Sequence, residues 1–393
     1  MKKKFLILIL LFAILTLSIP LTLVHVEAKD IKEELSEQVN SQLTDFNFSE
    51  LDKILQNFGV NSQSIFGEES FTDKLSSIIS GKYTTESTSI IQAIINIVFE
   101  EILDIVPLLC SIITIVILCS FVAQIRSSVN GKSINDIVHF VCYAIVIIII
   151  SKVVVDCLNL AEQTIVNMQT QMQVIFPILL TLMTAVGNAV SASVYQPALA
   201  LLATAISSIF TKIIMPFFII CFIFTIISNI SNTIKFDKFV SFINSLIKSI
   251  ITFTFTIFFA FLSIQGISAA GYDGISIRTA KFTLKNYIPL LGGYLSDGFD
   301  LILASSMLIK NAIGTTGLLL IISTIISPVL KLTILVLGFK LVAAILEPIS
   351  DKRISSFIFS ISKLLVLPII CIIGVSFMYI LSVGLIICTG NIY

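Results

Sequence analysis

Residues 102–388 are a succession of apolar runs, many of about twenty residues, the length that carries an α-helix across roughly 30 Å of hydrocarbon. A backbone in lipid must satisfy its own N–H and C=O groups, so only helices and closed barrels span a bilayer. The runs lack the period-two polar alternation of a barrel strand. The chain is therefore expected to be an all-α, polytopic helical membrane protein. Composition agrees, because 56% of the 393 residues are hydrophobic and 12% charged, where soluble domains carry about a quarter. The formal net charge of zero conceals a division. Residues 29–104 hold fourteen acidic and five basic side chains, leaving the remainder basic, as a translocated head and positively charged inner loops require.

The N-terminus has the layout of an export signal over residues 1–28: Lys2, Lys3 and Lys4, an apolar core over 5–17, Pro20, and Val26-Glu27-Ala28 as a small-residue cleavage site. Cleaved or retained as a span, it places residue 29 outside the cytoplasm. Residues 29–100 read as an exported acidic helical region. Ile31, Leu35, Val39 and Leu43 form one apolar stripe, and Leu51, Ile54, Leu55 and Phe58 a second. A first span and cytoplasmic loop occupy 101–136.

An internal echo organises the rest. The pattern basic, apolar, x, Ser-Phe-Ile, x, Ser, apolar, x, Lys runs from Lys238 to Lys248 and returns from Arg353 to Lys363. Pro177 and Pro216 lie as far apart as Pro289 and Pro328, and both prolines are displaced by 112 residues. The sequence thus divides into membrane repeats at 137–248 and 249–363, with a last span and C-terminus at 364–393. Walking the apolar pieces gives about ten crossings. The four prolines are candidate helix breaks; if Pro216 and Pro328 only kink long helices, or the Pro177 and Pro289 segments dip in and return, the count falls to six to eight. Both basic motifs are expected on the cytoplasmic side with Arg126 and Lys132, and the C-terminus outside; Arg278, Lys281 and Lys285 would then sit outside, against the charge rule.

Polar residues at membrane depth are the unaided clues to mechanism, because a charge at the bilayer centre costs about 2.5–3.5 kcal/mol and must be paired or turned inward. Asp297 and Asp300 share a helix face, Lys310 follows, and Gly292 and Gly293 permit close helix approach. These five are candidate intramembrane polar and packing residues. They could line a polar cavity or helix interface, or lie on an interfacial helix with the carboxylates in headgroup water. Lys212, Lys331 and Lys340 are expected to snorkel from span ends. The seven cysteines lack a C-x-x-C and read as small core hydrophobes rather than disulfide partners or metal ligands. No Walker loop, metal set or catalytic constellation is legible, so no enzyme and no cofactor is expected.

The export signal, acidic head and polytopic body, with Ile288-Pro289-Leu290-Leu291-Gly292-Gly293-Tyr294-Leu295-Ser296-Asp297 and Ser306-Met307-Leu308-Ile309-Lys310-Asn311-Ala312-Ile313-Gly314, resemble the stage III sporulation protein AE family of endospore-forming bacteria across essentially the whole chain. The resemblance implies a multi-pass protein of the mother cell in the outer forespore membrane. Its partners would be the lipid bilayer, other stage III sporulation membrane proteins and a forespore membrane partner, not nucleic acid. Together they would form a secretion-like channel that sustains late forespore gene expression. The alternative reading is a self-contained secondary transporter with a solute site at the repeat interface.

Overall fold

The computed structural model describes residues 48–56, 69–81, 87–127, 132–230, 236–269 and 292–389, with single positions at 39, 41, 43, 46 and 66. The export signal and Pro289 lie outside these residues. The described elements are helices: α1 (Ser49–Gln56), α2 (Phe71–Ile79), α3 (Ser87–Ser127), α4 (Lys132–Ala185), α5 (Ala189–Ile209), α6 (Met215–Ile230), α7 (Asp237–Ala269), α8 (Gly292–Leu346), α9 (Lys352–Leu364) and α10 (Val366–Cys388). A π turn, Phe210–Ile214, joins α5 to α6. Local chemistry sets several ends. Asp351 caps α9 by accepting from the Arg353 N–H at 2.9 Å, and Ser70 caps α2 through the Asp73 N–H at 3.1 Å. Gly187, at φ 89°, turns the chain between α4 and α5 in a conformation that a side chain disfavours.

Among the described residues, six helices or helix pairs are long and apolar enough to cross a membrane: Ile91–Val122, Phe140–Ala185, Ala203–Ile230, Asp237–Ser263, Asp300–Leu346 and Lys352–Cys388. Six is the lower end of the expected range, and the reason is that pieces read as separate crossings fuse. Pro177 lies within the 54 residues of α4 and Pro328 within the 55 of α8, and neither ends its helix. A proline removes one backbone donor, and packed neighbours make that loss tolerable. Pro216 follows the π turn, the kind of local widening that accommodates a freed carbonyl.

Consecutive crossings run up and down. Gln171 meets Thr324 and Ile175 meets Gly317, so α4 and α8 are antiparallel. Glu101 meets Lys331 and Leu109 meets Gly338, so α3 and α8 run parallel. Lys310 reaches Ile387 and Thr389 while Gly314 meets Ile387 and Val383, which sets α10 antiparallel to α8. One end of the bundle therefore carries the α3/α4, α6/α7 and α8/α9 connections, and both basic motifs open helices there, on α7 and α9. The other end carries the Gly187 turn and Thr389. Near the N-terminus Asp52 accepts from the Phe71 N–H at 2.8 Å, tying α1 to α2, and buried Leu51, Leu55, Phe71 and Leu75 join the main core.

Cys119 on α3 and Cys142 on α4 are joined by a disulfide, with Cα atoms 6.0 Å apart. This corrects the expectation that the cysteines serve only as core hydrophobes. The antiparallel packing of α3 and α4 brings the pair together, which no short cysteine motif announces.

The axis of the bundle is filled. Cys371, Ile372, Val375, Met378, Tyr379 and Val383 of α10 are all buried, and the Tyr379 hydroxyl donates to the Ala203 carbonyl at 3.1 Å. The exterior is divided. Near the basic end, large apolar side chains face outward, including Phe121 on α3, Phe140 and Ile148 on α4, Ile223 on α6, Phe242 and Phe253 on α7, and Leu341 on α8. This belt runs along α4 from Phe140 to Val155, about 25 Å, and along α7 from Phe239 to Phe259, about 30 Å at 1.5 Å per residue. Those heights match a hydrocarbon core. Beyond the belt, α4 turns Asp156, Asn159, Glu162, Gln163 and Asn167 outward, and α5 turns out Ser193 and Gln196. Among the described residues α3 carries a run of large apolar side chains past that level, at Ile91, Ile95 and Phe99, and single ones are exposed there at Val166 on α4, Val190 and Val194 on α5 and Ile302 on α8.

Candidate functional site

Where the apolar belt ends, α3, α4 and α8 enclose a groove of about 700 Å³. The polar stripe on α4 is its backbone. Lys152, Asp156, Asn159 and Gln163 follow at spacings of four, three and four, which keeps them on one face of a 3.6-residue helix. Asp104 faces them from α3 and Lys331 from α8. Apolar residues of the same three helices form the floor, among them Ile105, Leu108, Ile149, Val153 and Leu335.

One wall is anchored by an ion pair. Lys331 Nζ lies 3.1 Å from Glu101 Oε2, and the carboxylate side chain is 6% exposed while the lysine is 43% exposed. Burying Glu101 unpaired would be costly, so the pair fixes both the α3/α8 register and the position of the ammonium. Among the described residues, Asp104, Lys152 and Asp156 make no ion pair and no side-chain hydrogen bond. The groove thus presents charges of both signs over an apolar floor. No group of three or more His, Cys, Asp or Glu that could hold a metal ion occurs among the described residues.

The residues singled out in the sequence lie elsewhere. Lys310 is fully buried on α8 and donates to the carbonyls of Ile387 at 3.2 Å and Thr389 at 2.6 Å. It closes the C-terminal end of α10, where unpaired carbonyls and the helix dipole favour a cation. Gly314, one turn on, lets Ile387 and Val383 approach the α8 backbone. Asp300 is exposed near the far end of α8. Gly292 and Gly293 open α8, and Asp297 lies in its first turns. The structure does not bring Asp300 into the groove. Lys238 opens α7 at the basic end and Lys248 follows on the same helix, exposed within the apolar belt, while Arg353 and Lys363 sit on α9, with Lys363 over the Phe359 ring at 4.2 Å.

Lys331 departs from its expected role, since it pairs across helices instead of reaching out from a span end. Glu101, Asp104, Lys152 and Asp156 were not anticipated. The heptad-like spacing on α4 was the available signal. A further buried polar contact joins α4 to α8, where the Gln171 amide donates to the Thr324 hydroxyl at 2.7 Å.

Comparison with known proteins bears on this architecture. The family model described as Stage III sporulation protein AE (spore_III_AE) matches residues 70–390. The Stage III sporulation protein AE of Bacillus subtilis (strain 168) is 28% identical over 324 residues, covering 82% of this chain and 81% of that relative. No solved structure matches.

Proposed function

Because the chain belongs to the stage III sporulation protein AE family, we propose that this sporulation membrane protein is an integral subunit of the channel complex between mother cell and forespore. It resides in the outer forespore membrane of the mother cell, with the basic end in the cytoplasm and the polar-surfaced end directed at the forespore. Other stage III membrane proteins and a forespore partner complete the assembly.

The observation that supports a subunit role is the filled axis. Buried α10 side chains occupy the centre of the bundle, so a conduit is built between protomers or partners, with this protein as part of the wall. The polar exterior beyond the belt offers water-compatible contact surface at the side facing the forespore. Packed, long helices suit a wall element because they hold that surface at a fixed height above the membrane.

The test is gentle-detergent purification of tagged protein from sporulating cells after engulfment, with co-eluting proteins identified by mass spectrometry. Stoichiometric recovery with other stage III membrane proteins and a forespore protein is expected. Recovery as a lone protein, unchanged by crosslinking before lysis, would overturn the reading and favour a self-contained transporter.

A further inference from the structure

The groove has a direction. At its end towards the basic motifs it is apolar, with Leu108, Ile148 and Leu335; at its other end it is polar, with Asp104, Asp156 and Gln163. That order coincides with the edge of the lipid-facing belt, and Ile148 is 70% exposed, so the groove opens sideways onto the belt and not into the bundle. A ligand that fits must be apolar towards the bilayer centre and charged at the interface. Its volume falls within the range of about 300–1,000 Å³ usual for small-molecule sites.

The charges narrow the class further. The lining carries two ammonium groups, Lys152 and Lys331, and two carboxylates, Asp104 and Asp156, with Glu101 behind Lys331. The set has no positive excess, so a headgroup of net negative charge is not matched. A headgroup with separate phosphate and primary ammonium is, since ammonium N–H groups donate to carboxylates and phosphate oxygens accept from lysines.

We propose that the α3/α4/α8 groove binds an aminophospholipid of the outer face of the membrane. Its phosphate lies against Lys152 and Lys331, its ammonium against Asp104 and Asp156, and an acyl chain runs down over Leu108, Ile148 and Leu335. The bound lipid covers an opening where charged side chains meet hydrocarbon, and it fixes the height at which the bundle sits in the bilayer. This inference needs only the membrane placement and does not depend on the channel reading.

The experiment uses the full-length protein, delipidated in detergent and titrated with phosphatidylethanolamine, phosphatidylcholine or phosphatidylglycerol, with bound lipid counted by native mass spectrometry. Phosphatidylethanolamine is expected to bind preferentially, and the Asp156→Asn and Lys152→Gln variants to weaken it about tenfold each while binding of phosphatidylglycerol is unchanged. Equal retention of the three lipids by the unaltered protein would overturn the proposal whatever the variants do. So would displacement of the lipid by soluble phosphoethanolamine at equal concentration, which would mark a site for a free zwitterion.

Discussion

At the residue scale the structure turns on charges that meet across helices. Glu101 and Lys331 are 3.1 Å apart, and only the lysine reaches solvent or headgroup. Lys331→Glu should destabilise the protein by about 1–3 kcal/mol, less than a fully buried broken pair because the lysine is part-exposed. Adding Glu101→Lys should restore most of the loss, read as thermal unfolding in detergent. A double variant as unstable as the sum of the singles would contradict the pairing. Little of this was legible in the sequence. Lys331 carries no local sign of a partner 230 positions away, since a cross-helix register is fixed only by packing. The α4 stripe was readable in principle, because Lys152, Asp156, Asn159 and Gln163 keep one helical face. Lys310 shows the opposite case: a lysine in an apolar run announces a need for partners, but not that the last helix's carbonyls supply them.

At the scale of elements, close packing of long helices sets the architecture. A Cβ at Gly338 would meet the terminal methyls of Leu109, so this glycine leaves the space that the Leu109 side chain of α3 fills against α8. Gly338→Leu should cost about 1–3 kcal/mol through overpacking; the companion Leu109→Ala should recover part of it. No loss of stability in the single variant would sink this account of the α3/α8 contact. The helical, polytopic class was fully legible, because apolar runs in lipid leave the backbone no other choice. The number of crossings was not. Pro177, Pro216 and Pro328 look like boundaries in one dimension. The polar residues between 156 and 173 suggest an amphipathic helix lying at the interface, and they are one outward face of the long helix α4, whose other face, with Ala161, Ile165, Met168 and Met172, is buried. Proline punctuation and polarity were each read locally, where tertiary packing decides.

At the scale of the whole molecule, α4 and α8 are each about 80 Å long at 1.5 Å per residue, more than twice the hydrocarbon thickness. The apolar belt covers the part near the basic end, and beyond it α4 carries a mainly polar surface while α3 stays apolar at Ile91, Ile95 and Phe99. The account's central claim is that the bilayer takes only the belted part, with both basic motifs in the cytoplasm and the rest projecting on the other side. Impermeant thiol labelling tests it most directly, using single cysteines at Lys238→Cys, Lys352→Cys and Gln163→Cys in a chain whose seven native cysteines are replaced and which still supports sporulation. All three positions are exposed. The account predicts that, in spheroplasts taken before engulfment closes off the space at that end, Gln163→Cys reacts without permeabilisation and the other two only after it. Reaction of Lys238→Cys and Lys352→Cys from opposite sides, or a Gln163→Cys that stays unreactive in the intact membrane, would contradict it.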